Sequence, residues 1–499
     1  MQTNILRYLE NTVERVPEKL AFSNGAEGLT FRELSENARA IGSALAAGGF
    51  YAEPVVVFME KHPNAVAAFF GAVYGGCHYV PIDEEMPAHR VELIFSSLRP
   101  RAVICDEKTL EAAKAVAGDA ALLFYSDIIK TQEDASALLS VRERQLDVDP
   151  LYIVFTSGST GVPKGVCACH RSVIDYIENL SEVLNFGEET VFANQTPLYF
   201  DACLKELYPT IKFGATTYLV PKQLFMQPVA LVKYLNEYKI NTVCWVVSAL
   251  TVISGLGAFK EIVPEYLHTV AFGSEVFPVK QFNLWRGVLP DAKFVNLYGP
   301  TECTGMSCYY EVDREFEASD VIPIGRPFRN TGIMLLDSDN KPAKDGEAGE
   351  ICIRGTCVTL GYYNDFGRTG EVFVQNPLNT AYPELIYRTG DLAKYNERGE
   401  LIFISRLDYQ IKHMGHRIEL GEIELIANMA NGVSAACCVF DEVKKKIILY
   451  AVGDTEIVPL MEYLREKLPR YMIPNKIRII EAMPLTPNGK IDRKQLKAL

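Results

Sequence analysis

The chain has 499 residues, of which 48% are hydrophobic and 23% are charged, and its formal net charge at pH 7 is −13. This composition is ordinary for a folded globular protein of up to about three domains, and the acidic balance argues against nucleic acid as a partner. No apolar run approaches the ~20 residues that cross a bilayer, and the N-terminus shows no basic region followed by an apolar one, so we expect a cytoplasmic protein without membrane insertion.

Predicted strands and helices alternate along most of the chain. Buried strands are predicted by β-branched apolar runs at 54–59, 101–106, 151–155, 216–220 and 241–247. Between them, "FRELSENARAIGSALAAG" and "PVALVKYLNEYK" have the apolar spacing of helices. Strands that alternate with helices form parallel sheets covered on both faces, so we predict an α/β fold with layered parallel sheets in a large N-terminal domain. After about residue 320, short strands between Gly/Asp turns predict a small β subdomain.

The C-terminal part of the chain is predicted to be a separate, smaller α+β domain. The polar stretch "SRLDYQIKHMGHR" (405–417) is the boundary candidate, and we assign residues 1–405 to the core and 406–499 to the small domain. In the small domain, "RIELGEIELIANMA" and "IVPLMEYLREKL" predict helices, and "SAACCVFD" and "KIILYAVG" predict a strand pair. From Tyr409 onward there are 14 Lys and Arg against 11 Asp and Glu, so this domain is mildly basic beside an acidic body.

The twelve cysteines include no C-x-x-C pair. Cys167, Cys169 and His170 could be offered as metal ligands, but small apolar thiols packed in strands and helices explain them better. We expect no structural disulfides, because the chain carries no visible export signal.

The segment "TSGSTGVPKGV" (156–166) follows a predicted buried strand and has the residues of a phosphate-binding loop. Glycines allow backbone N–H groups to converge on an anion, while hydroxyls and a lysine add donors and positive charge. The candidate residues are Thr156, Ser157, Gly158, Ser159, Thr160, Gly161 and Lys164. Pro163 precedes the lysine, which excludes the G-K-[ST] order of a P-loop NTPase. A plain Ser/Gly turn stays the alternative.

Three further segments are weak signals in isolation. In "NLYGPTE" (296–302), Tyr298 could stack on a base, and Glu302 is a hard oxygen ligand suited to Mg²⁺. In "YRTGDL" (387–392), Asp391 could accept two ribose hydroxyls. In "PLTPNGKIDRKQL" (484–496), Lys490 on a tight turn could reach a distant site. For each segment alone, a turn with a core tyrosine or an exposed charged residue is the simpler interpretation.

Taken together, the motifs resemble one family. In chain order stand "LTFREL", "GAVYGGCHYVPID", "YIVFTSGSTGVPKGV", "LYFDACLKELYP", "NLYGPTE", "GEICIRG…LGYY", "YRTGDL", "RLDYQIKHMGHRIELGEIE" and "NGKIDRKQL". This series resembles the adenylate-forming enzymes, specifically the amino-acid adenylation domains of nonribosomal peptide synthetases, and is similar to free-standing D-alanine–carrier-protein ligases. The resemblance runs from about Leu29 to Leu496. It implies an ATP-dependent, AMP-forming ligase that makes an acyl-adenylate, releases pyrophosphate and passes the acyl group to a phosphopantetheine thiol.

The resemblance also implies roles for individual residues in binding ATP and Mg²⁺. The loop 156–165 would close over the β- and γ-phosphates. The adenine and ribose would lie among Asn296, Tyr298, Gly299, Asp391 and Arg406. The catalytic residues would be Thr301 near the α-phosphate, Glu302 as the metal ligand, and Lys490 between the substrate carboxylate and the α-phosphate. No general base is expected, because a carboxylate substrate is already ionised at pH 7.

A hinge is implied at Asp408, about which the family's small domain rotates. One orientation would present Lys490, and the other would present the segment 412–417, with Gly415, to the pantetheine arm. Ser405 stands where the family often has glycine, so the hinge geometry departs from the usual pattern.

The stretch "YFDACLKEL" bears on the choice of substrate. Asp201 matches the residue that binds the substrate α-amino group in amino-acid-activating members, and a carboxylate in a pocket requires such a partner. The rest of the pocket, assigned by motif, would be Ala202, Lys205, Trp245, Ala271, Gly273, Leu297, Gly305 and Met306. The alternative is that Asp201 and Lys205 form a surface ion pair on a helix. The substrate is expected to be acidic if Lys205 points inward and small if it points away.

The acceptor is expected to be a phosphopantetheinylated carrier protein acting in trans, because no carrier segment follows the Lys490 motif. The mildly basic C-terminal domain suits an acidic carrier. The alternatives are a D-alanine–carrier-protein ligase, an acyl- or aryl-CoA ligase, which Asp201 disfavours, and a non-catalytic binding protein that retains the fold. The last is disfavoured because Lys490, Glu302 and the phosphate loop are all present.

Overall fold

A computed structural model of the chain describes residues 2–158, 161–344, 346–485 and 491–499. The chain divides into two compact units. The first unit contains the residues up to Glu84 together with Pro100–Val154 and Val166–Leu407. The second unit contains Glu85–Arg99, Phe155–Gly165 and Asp408–Leu499.

Strands and helices are named here in chain order, for the described residues. The strands are β1 (Leu20–Ser23), β2 (Gly28–Thr30), β3 (Pro54–Phe58), β4 (His78–Ile82), β5 (Ala102–Cys105), β6 (Ala121–Phe124), β7 (Pro150–Thr156), β8 (Lys164–Cys169), β9 (Val191–Asn194), β10 (Thr216–Leu219), β11 (Thr242–Val246), β12 (Thr269–Gly273), β13 (Lys293–Tyr298), β14 (Cys308–Glu311), β15 (Arg326–Pro327), β16 (Thr331–Leu336), β17 (Gly349–Gly355), β18 (Phe373–Gln375), β19 (Leu385–Tyr395), β20 (Leu401–Arg406), β21 (Gln410–His413), β22 (His416–Glu419), β23 (Val433–Asp441), β24 (Lys446–Gly453) and β25 (Lys476–Ile479). The α-helices are α1 (Leu6–Arg15), α2 (Phe31–Ala47), α3 (Pro63–Tyr74), α4 (Ala88–Leu98), α5 (Leu110–Val116), α6 (Tyr125–Ile128), α7 (Ala135–Arg144), α8 (His170–Leu184), α9 (Leu204–Phe213), α10 (Pro228–Glu237), α11 (Val247–Gly255), α12 (Val279–Val288), α13 (Phe366–Val372), α14 (Leu420–Asn428), α15 (Ile457–Lys467) and α16 (Arg493–Ala498).

Three sheets organise most of the first unit. A nine-stranded sheet has the order β15-β14-β13-β12-β11-β9-β10-β1-β2, a six-stranded sheet has the order β6-β5-β3-β4-β7-β8, and a smaller sheet has the order β16-β17-β19-β18 with β20 paired to β19. The nine-stranded sheet is parallel from β1 to β13 and antiparallel at both edges. All five residues of β3 are buried, as expected for a parallel strand covered on both faces. The predicted fold class is confirmed.

The residues at the N-terminus of helix α2 explain why the helix begins where it does. The side chain of Thr30 accepts a hydrogen bond from the backbone N–H of Glu33, and the carboxylate of Glu33 accepts one from the backbone N–H of Thr30. This capping box satisfies two donors that the first helical turn leaves unpaired. The quoted motif "LTFREL" is therefore a helix start.

The two faces of the nine-stranded sheet belong to different core clusters. Cys244, Ala271 and Leu297 lie in the cluster that includes residues of α8 and α9. Trp245 and Phe272, each one position along the same strands, lie in the cluster that includes residues of α10, α11 and α12. Successive strand residues point to opposite faces, so this alternation decides which side chains can reach a common site.

The second unit contains a three-stranded sheet, β23-β24-β25, and the β21–β22 hairpin. Its core includes residues of α14 and α15. One predicted boundary is wrong: the helix expected from Arg417 begins at Leu420, because Arg417 pairs with Lys412 in the hairpin. None of the described helices is long and apolar enough to cross a membrane.

Candidate active site

The turn after β13 brings several of the predicted residues together. A Cβ atom on Gly299 would lie 2.4 Å from the carbonyl oxygen of Gly305 and 2.5 Å from the Cα of Met306. The two strands of the reversal can approach this closely only because residue 299 is glycine. Gly305 itself has a φ of +85°, the left-handed region that glycine adopts most readily. Thr301 begins a short 3₁₀ turn inside this reversal.

A buried carboxylate links this turn to the small β sheet of the first unit. The hydroxyl of Tyr298 donates to Asp391 at 2.6 Å, and the guanidinium of Arg406 donates to the other oxygen of Asp391. Asp391 on β19 lies opposite Arg406 on β20 in the strand register, which sets this geometry. Burial and the Asp391 charge raise the pKa of Tyr298 well above its usual range. Tyr298, Asp391 and Arg406, all assigned to the nucleotide by resemblance, thus form one cluster. Nearby on β13, the side-chain amide of Asn296 donates to the carbonyl of Pro323 at 2.8 Å.

Glu302 is fully buried, which the sequence did not indicate. Its carboxylate accepts a hydrogen bond from the Tyr362 hydroxyl at 2.8 Å, and its carbonyl accepts one from the Thr359 N–H at 3.0 Å. The simple interpretation of Glu302 as a surface residue is therefore wrong. Tyr362 lies in the quoted "LGYY" motif, but the sequence did not identify it as the partner of Glu302. The two residues are far apart in the chain, and only the fold shows that they are in contact.

Asp201 begins a 3₁₀ turn that leads into α9. Lys205 and Glu206, in the first turn of α9, are 1% and 0% exposed. Because Lys205 is buried, the ion pair that was considered for Asp201 and Lys205 cannot lie on the surface of a helix. The side-chain amide of Asn194 donates to Glu206 at 3.2 Å. Burial raises the pKa of Glu206 to about 8, against the lowering effects of Lys205 and Asn194.

A second lysine fixes the backbone that leads to Asp201. The ammonium of Lys61 donates to the carbonyl oxygens of Asn194 at 2.8 Å and Gln195 at 3.1 Å, at the end of β9. It also lies 3.5 Å from the carbonyl oxygen of Val220, which follows β10. Lys61 thus joins the carboxyl ends of two parallel strands, where ligands of open α/β sheets bind.

Several of the predicted pocket positions share one face of the nine-stranded sheet. Ala271 and Leu297 belong to the core cluster that also includes Met306, and Gly273 pairs with Leu297, so a Cβ on Gly273 would lie 2.3 Å from the Leu297 carbonyl oxygen. Ala202 lies beside Asp201 in the 3₁₀ turn. Trp245 is not brought together with them: it packs on the opposite face against Phe225 and donates its indole N–H to the Ala193 carbonyl at 2.6 Å.

The described part of the glycine–serine loop belongs to the second unit. The Ser157 hydroxyl donates to the carbonyl of Arg417 at 2.8 Å, and the Gly158 N–H donates to Glu422 at 3.3 Å. Glu422 also pairs with Arg90, and both side chains are buried. A Cβ on Gly161, whose φ is +79°, would lie 2.4 Å from a methyl of Leu425. Thr156 ends β7 and Lys164 begins β8, so the loop joins two strands and does not begin a helix.

Three predicted residues, Ser159, Thr160 and Lys490, lie outside the described residues. Asp408 is the first residue of the C-terminal segment of the second unit, and its carboxylate accepts from the Gln410 N–H at 3.1 Å. The segment 412–417 spans the turn of the β21–β22 hairpin and the strand residues on either side of it, with Gly415 at a φ of +79°. The twelve cysteines are all free thiols and all buried.

The arrangement of a parallel-sheet core with this turn, this carboxylate cluster and a following small α+β unit is that of an adenylate-forming enzyme, as the sequence resemblance predicted. Residues 9–363 match the AMP-binding enzyme family and residues 422–490 match its C-terminal domain. The chain therefore belongs to the AMP-binding enzyme family.

The curated relatives of the chain include nonribosomal peptide synthetases. It is 32% identical to Gramicidin S synthase 2 of Brevibacillus brevis, with 99% of this chain and 11% of the relative aligned. It is 30% identical to Tyrocidine synthase 1 of Brevibacillus parabrevis, with 99% of this chain and 45% of the relative aligned. The chain thus spans less than half the length of either relative.

Solved structures share the fold over nearly the whole chain. Holo-PA1221, an NRPS protein containing adenylation and PCP domains, superposes with a TM-score of 0.84 at 24% identity, covering 99% of this chain and 84% of that one. The Vibrio cholerae adenylation domain AlmE, in complex with glycyl-adenosine-5'-phosphate, superposes with a TM-score of 0.85 at 19% identity, covering 100% and 98%. Identities this low establish the fold alone.

Proposed function

We propose that this enzyme activates an amino acid with ATP as an aminoacyl-adenylate, releases pyrophosphate, and transfers the aminoacyl group to the phosphopantetheine thiol of a separate carrier protein. The observation that carries the proposal is the buried Asp391 between Tyr298 and Arg406. Family membership and the names of the synthetase relatives support it.

The cluster around Asp391 suits the nucleoside part of ATP. A carboxylate has about four lone-pair sites, so Asp391 retains acceptor capacity for ribose hydroxyls beyond the bonds from Tyr298 and Arg406. The Tyr298 ring would border the adenine with Asn296 and Gly299, and Thr301 would lie near the α-phosphate. The loop 156–165, with Lys164, would hold the β- and γ-phosphates.

Glu302 fits a Mg²⁺ ion. A fully buried carboxylate requires compensating charge or hydrogen bonds, and Mg²⁺ is usually held by one or two carboxylates together with substrate phosphates. When bound, the ion would neutralise negative charge on the phosphates. Tyr362 would keep the Glu302 carboxylate oriented through its 2.8 Å hydrogen bond. Lys490 would neutralise the approach of the substrate carboxylate to the α-phosphate.

Asp201 would bind the α-ammonium of the amino acid. Lys61 holds the carbonyls of Asn194 and Gln195, so the chain that leads to Asp201 is anchored at the carboxyl end of β9. We propose that the buried Lys205 points into this pocket and that the substrate side chain is therefore acidic, not small. Trp245 is not part of the proposed pocket, because its side chain packs on the opposite face of the sheet.

An ATP–pyrophosphate exchange screen over the twenty L-amino acids, several D-amino acids, and aryl and fatty acids tests the activation step. We expect exchange only with amino acids, and most with Asp or Glu. Exchange driven by an aryl or fatty acid, and not by any amino acid, would contradict the proposal, and a preference for D-alanine would favour the D-alanine–carrier-protein ligase.

The transfer step needs a separate experiment. The enzyme, ATP and the preferred amino acid are mixed with phosphopantetheinylated candidate carriers, and the loaded arm is detected by mass. Asp408 would be the hinge between the adenylating and thiolating orientations. Transfer to free coenzyme A with no carrier loaded would contradict the carrier part of the proposal and leave the activation part intact.

A further inference from the structure

Tyr176 on α8 carries a buried hydroxyl that is not satisfied by the protein. The residue is 3% exposed, and its ring packs edge-on against Phe328 with 6.4 Å between centroids. Among the described residues, its hydroxyl has no hydrogen-bond partner. Leaving a buried hydroxyl unpaired costs about 1–3 kcal/mol, so such a group normally has a partner that is a water, an ion or a ligand.

Several other buried tyrosines in the first unit are satisfied, whereas the hydroxyls of Tyr152 and Tyr234, like that of Tyr176, have no partner among the described residues. The hydroxyls of Tyr79 and Tyr208 bond to each other at 2.8 Å, that of Tyr298 donates to Asp391, and that of Tyr362 donates to Glu302. The hydroxyl of Tyr176 lies against the turn at Gly305, and that position links it to the candidate site.

The Tyr176 hydroxyl faces the candidate amino-acid site. A Cβ on Gly305 would lie 3.5 Å from this oxygen and 3.3 Å from the ring carbon that carries it. Tyr176 belongs to the same core cluster as Cys203 and Leu204 at the start of α9 and Cys244 on β11. The hydroxyl therefore lies among the turn that carries Gly305, the start of α9, and the strand face that carries Cys244.

The same region contains a buried ammonium. Lys205 is 1% exposed and lies in the first turn of α9, directly after Leu204, which belongs to the same core cluster as Tyr176 and Cys244. An O–H donor and an ammonium near one another form a donor set for a carboxylate, because hydrogen bonds to charged acceptors are the stronger ones.

We propose that Tyr176 is a specificity-determining residue whose hydroxyl donates a hydrogen bond to the side-chain carboxylate of an acidic amino-acid substrate, beside Lys205. This inference rests on the proposed amino-acid activation. It names the substrate class of that site: an amino acid whose side chain ends in a carboxylate. None of the motifs in the sequence includes Tyr176, which the fold alone brings to Gly305.

The test compares Tyr176→Phe with Tyr234→Phe in ATP–pyrophosphate exchange. Tyr234 is the matched control, since its hydroxyl is also buried without a partner among the described residues but lies in the core cluster on the opposite face of the sheet. We expect Tyr176→Phe to lower kcat/KM for the preferred acidic amino acid by about 10- to 100-fold. The loss should appear mainly in KM, because the contact is made equally before and during the reaction.

The readout that separates specificity from structure is the ratio of two substrates. For the Tyr176→Phe variant, kcat/KM should change by less than about 2-fold for an apolar amino acid of similar size, and Tyr234→Phe should leave both substrates unchanged. An equal loss for every amino acid, no loss at all, or a wild-type preference for an apolar side chain overturns the inference while amino-acid activation stands. If the wild type exchanges with no amino acid, the proposed function fails and the inference fails with it.

Discussion

At the scale of single residues, burial distinguishes three candidate carboxyl groups from the many exposed ones. Glu302, Asp391 and Glu206 are all nearly or fully buried carboxyl groups, and each has named partners. A carboxylate is costly to bury, so its partners have to be supplied by the fold or by a ligand. The partners of Asp391 are side chains, and this makes its role directly testable.

Replacing Asp391 with Asn should weaken ATP binding. The amide keeps one acceptor oxygen but removes the charge that pairs with Arg406, so we expect the KM for ATP to rise by about 10- to 100-fold. The measurement is ATP–pyrophosphate exchange at saturating amino acid. Asp313 is the control, because it accepts from the Tyr310 hydroxyl at 2.6 Å and from Arg314 in a similar trio. An equal rise in KM for Asp391→Asn and Asp313→Asn would contradict the nucleotide role.

Glu206 should make stability depend on pH. Burial raises its pKa from 4.5 to about 8, so between these values the folded protein retains a proton that the unfolded chain has released. The stabilisation is present below pH 4.5 and is lost as the pH rises through about 8. Relative to Glu206→Gln, the wild-type free energy of unfolding should fall by at most about 1.4 kcal/mol per pH unit. Urea unfolding of both proteins across this range measures it, and a constant difference would show that Glu206 does not titrate there.

At the scale of elements, strand alternation and tight turns decide which residues meet. The apolar runs predicted β3, β5, β7, β10 and β11 to within a few residues, because a fully buried strand is visible as a run of β-branched side chains. The face of each strand was not predictable. Trp245 was assigned to the pocket by motif. In the structure its side chain lies on the opposite face of β11 from that of Cys244, because successive strand residues alternate between faces.

The turn at Gly299 should not tolerate a side chain. In Gly299→Ala, the Cβ would meet backbone atoms of Gly305 and Met306 at 2.4–2.5 Å, and backbone cannot move aside as a flexible side chain can. We expect adenylation to fall by at least about 10-fold, and the melting temperature to fall by about 2–4 °C or less for each kcal/mol of destabilisation in a chain of this size. Gly370→Ala, where a Cβ has nothing within 4 Å, should behave as wild type in both assays. Unchanged exchange activity in Gly299→Ala would mean that the reversal adapts.

At the scale of the whole molecule, the proposed function gives different roles to two lysines that are far apart in sequence, Lys164 and Lys490. In Lys490→Ala, adenylate formation should be abolished while thiolation of preformed adenylate is largely retained. Lys164→Ala should weaken adenylation less, because Lys164 would only steady the departing phosphates. Exchange and single-step thiolation assays on both variants measure this division. Equal loss of both half-reactions in Lys490→Ala, or a larger defect in Lys164→Ala, would contradict it.

The sequence by itself determined the α/β class, most element positions and the family, because buried strands, capping residues and glycine turns are encoded over short stretches. The tertiary structure alone decided that Asp391 lies between Tyr298 and Arg406, that Lys205 is buried, and that Tyr176 reaches Gly305. These contacts join residues that are distant in the chain, and they depend on strand register and on the face that each side chain takes. Neither property can be read from local pattern, since a one-residue shift reverses every face.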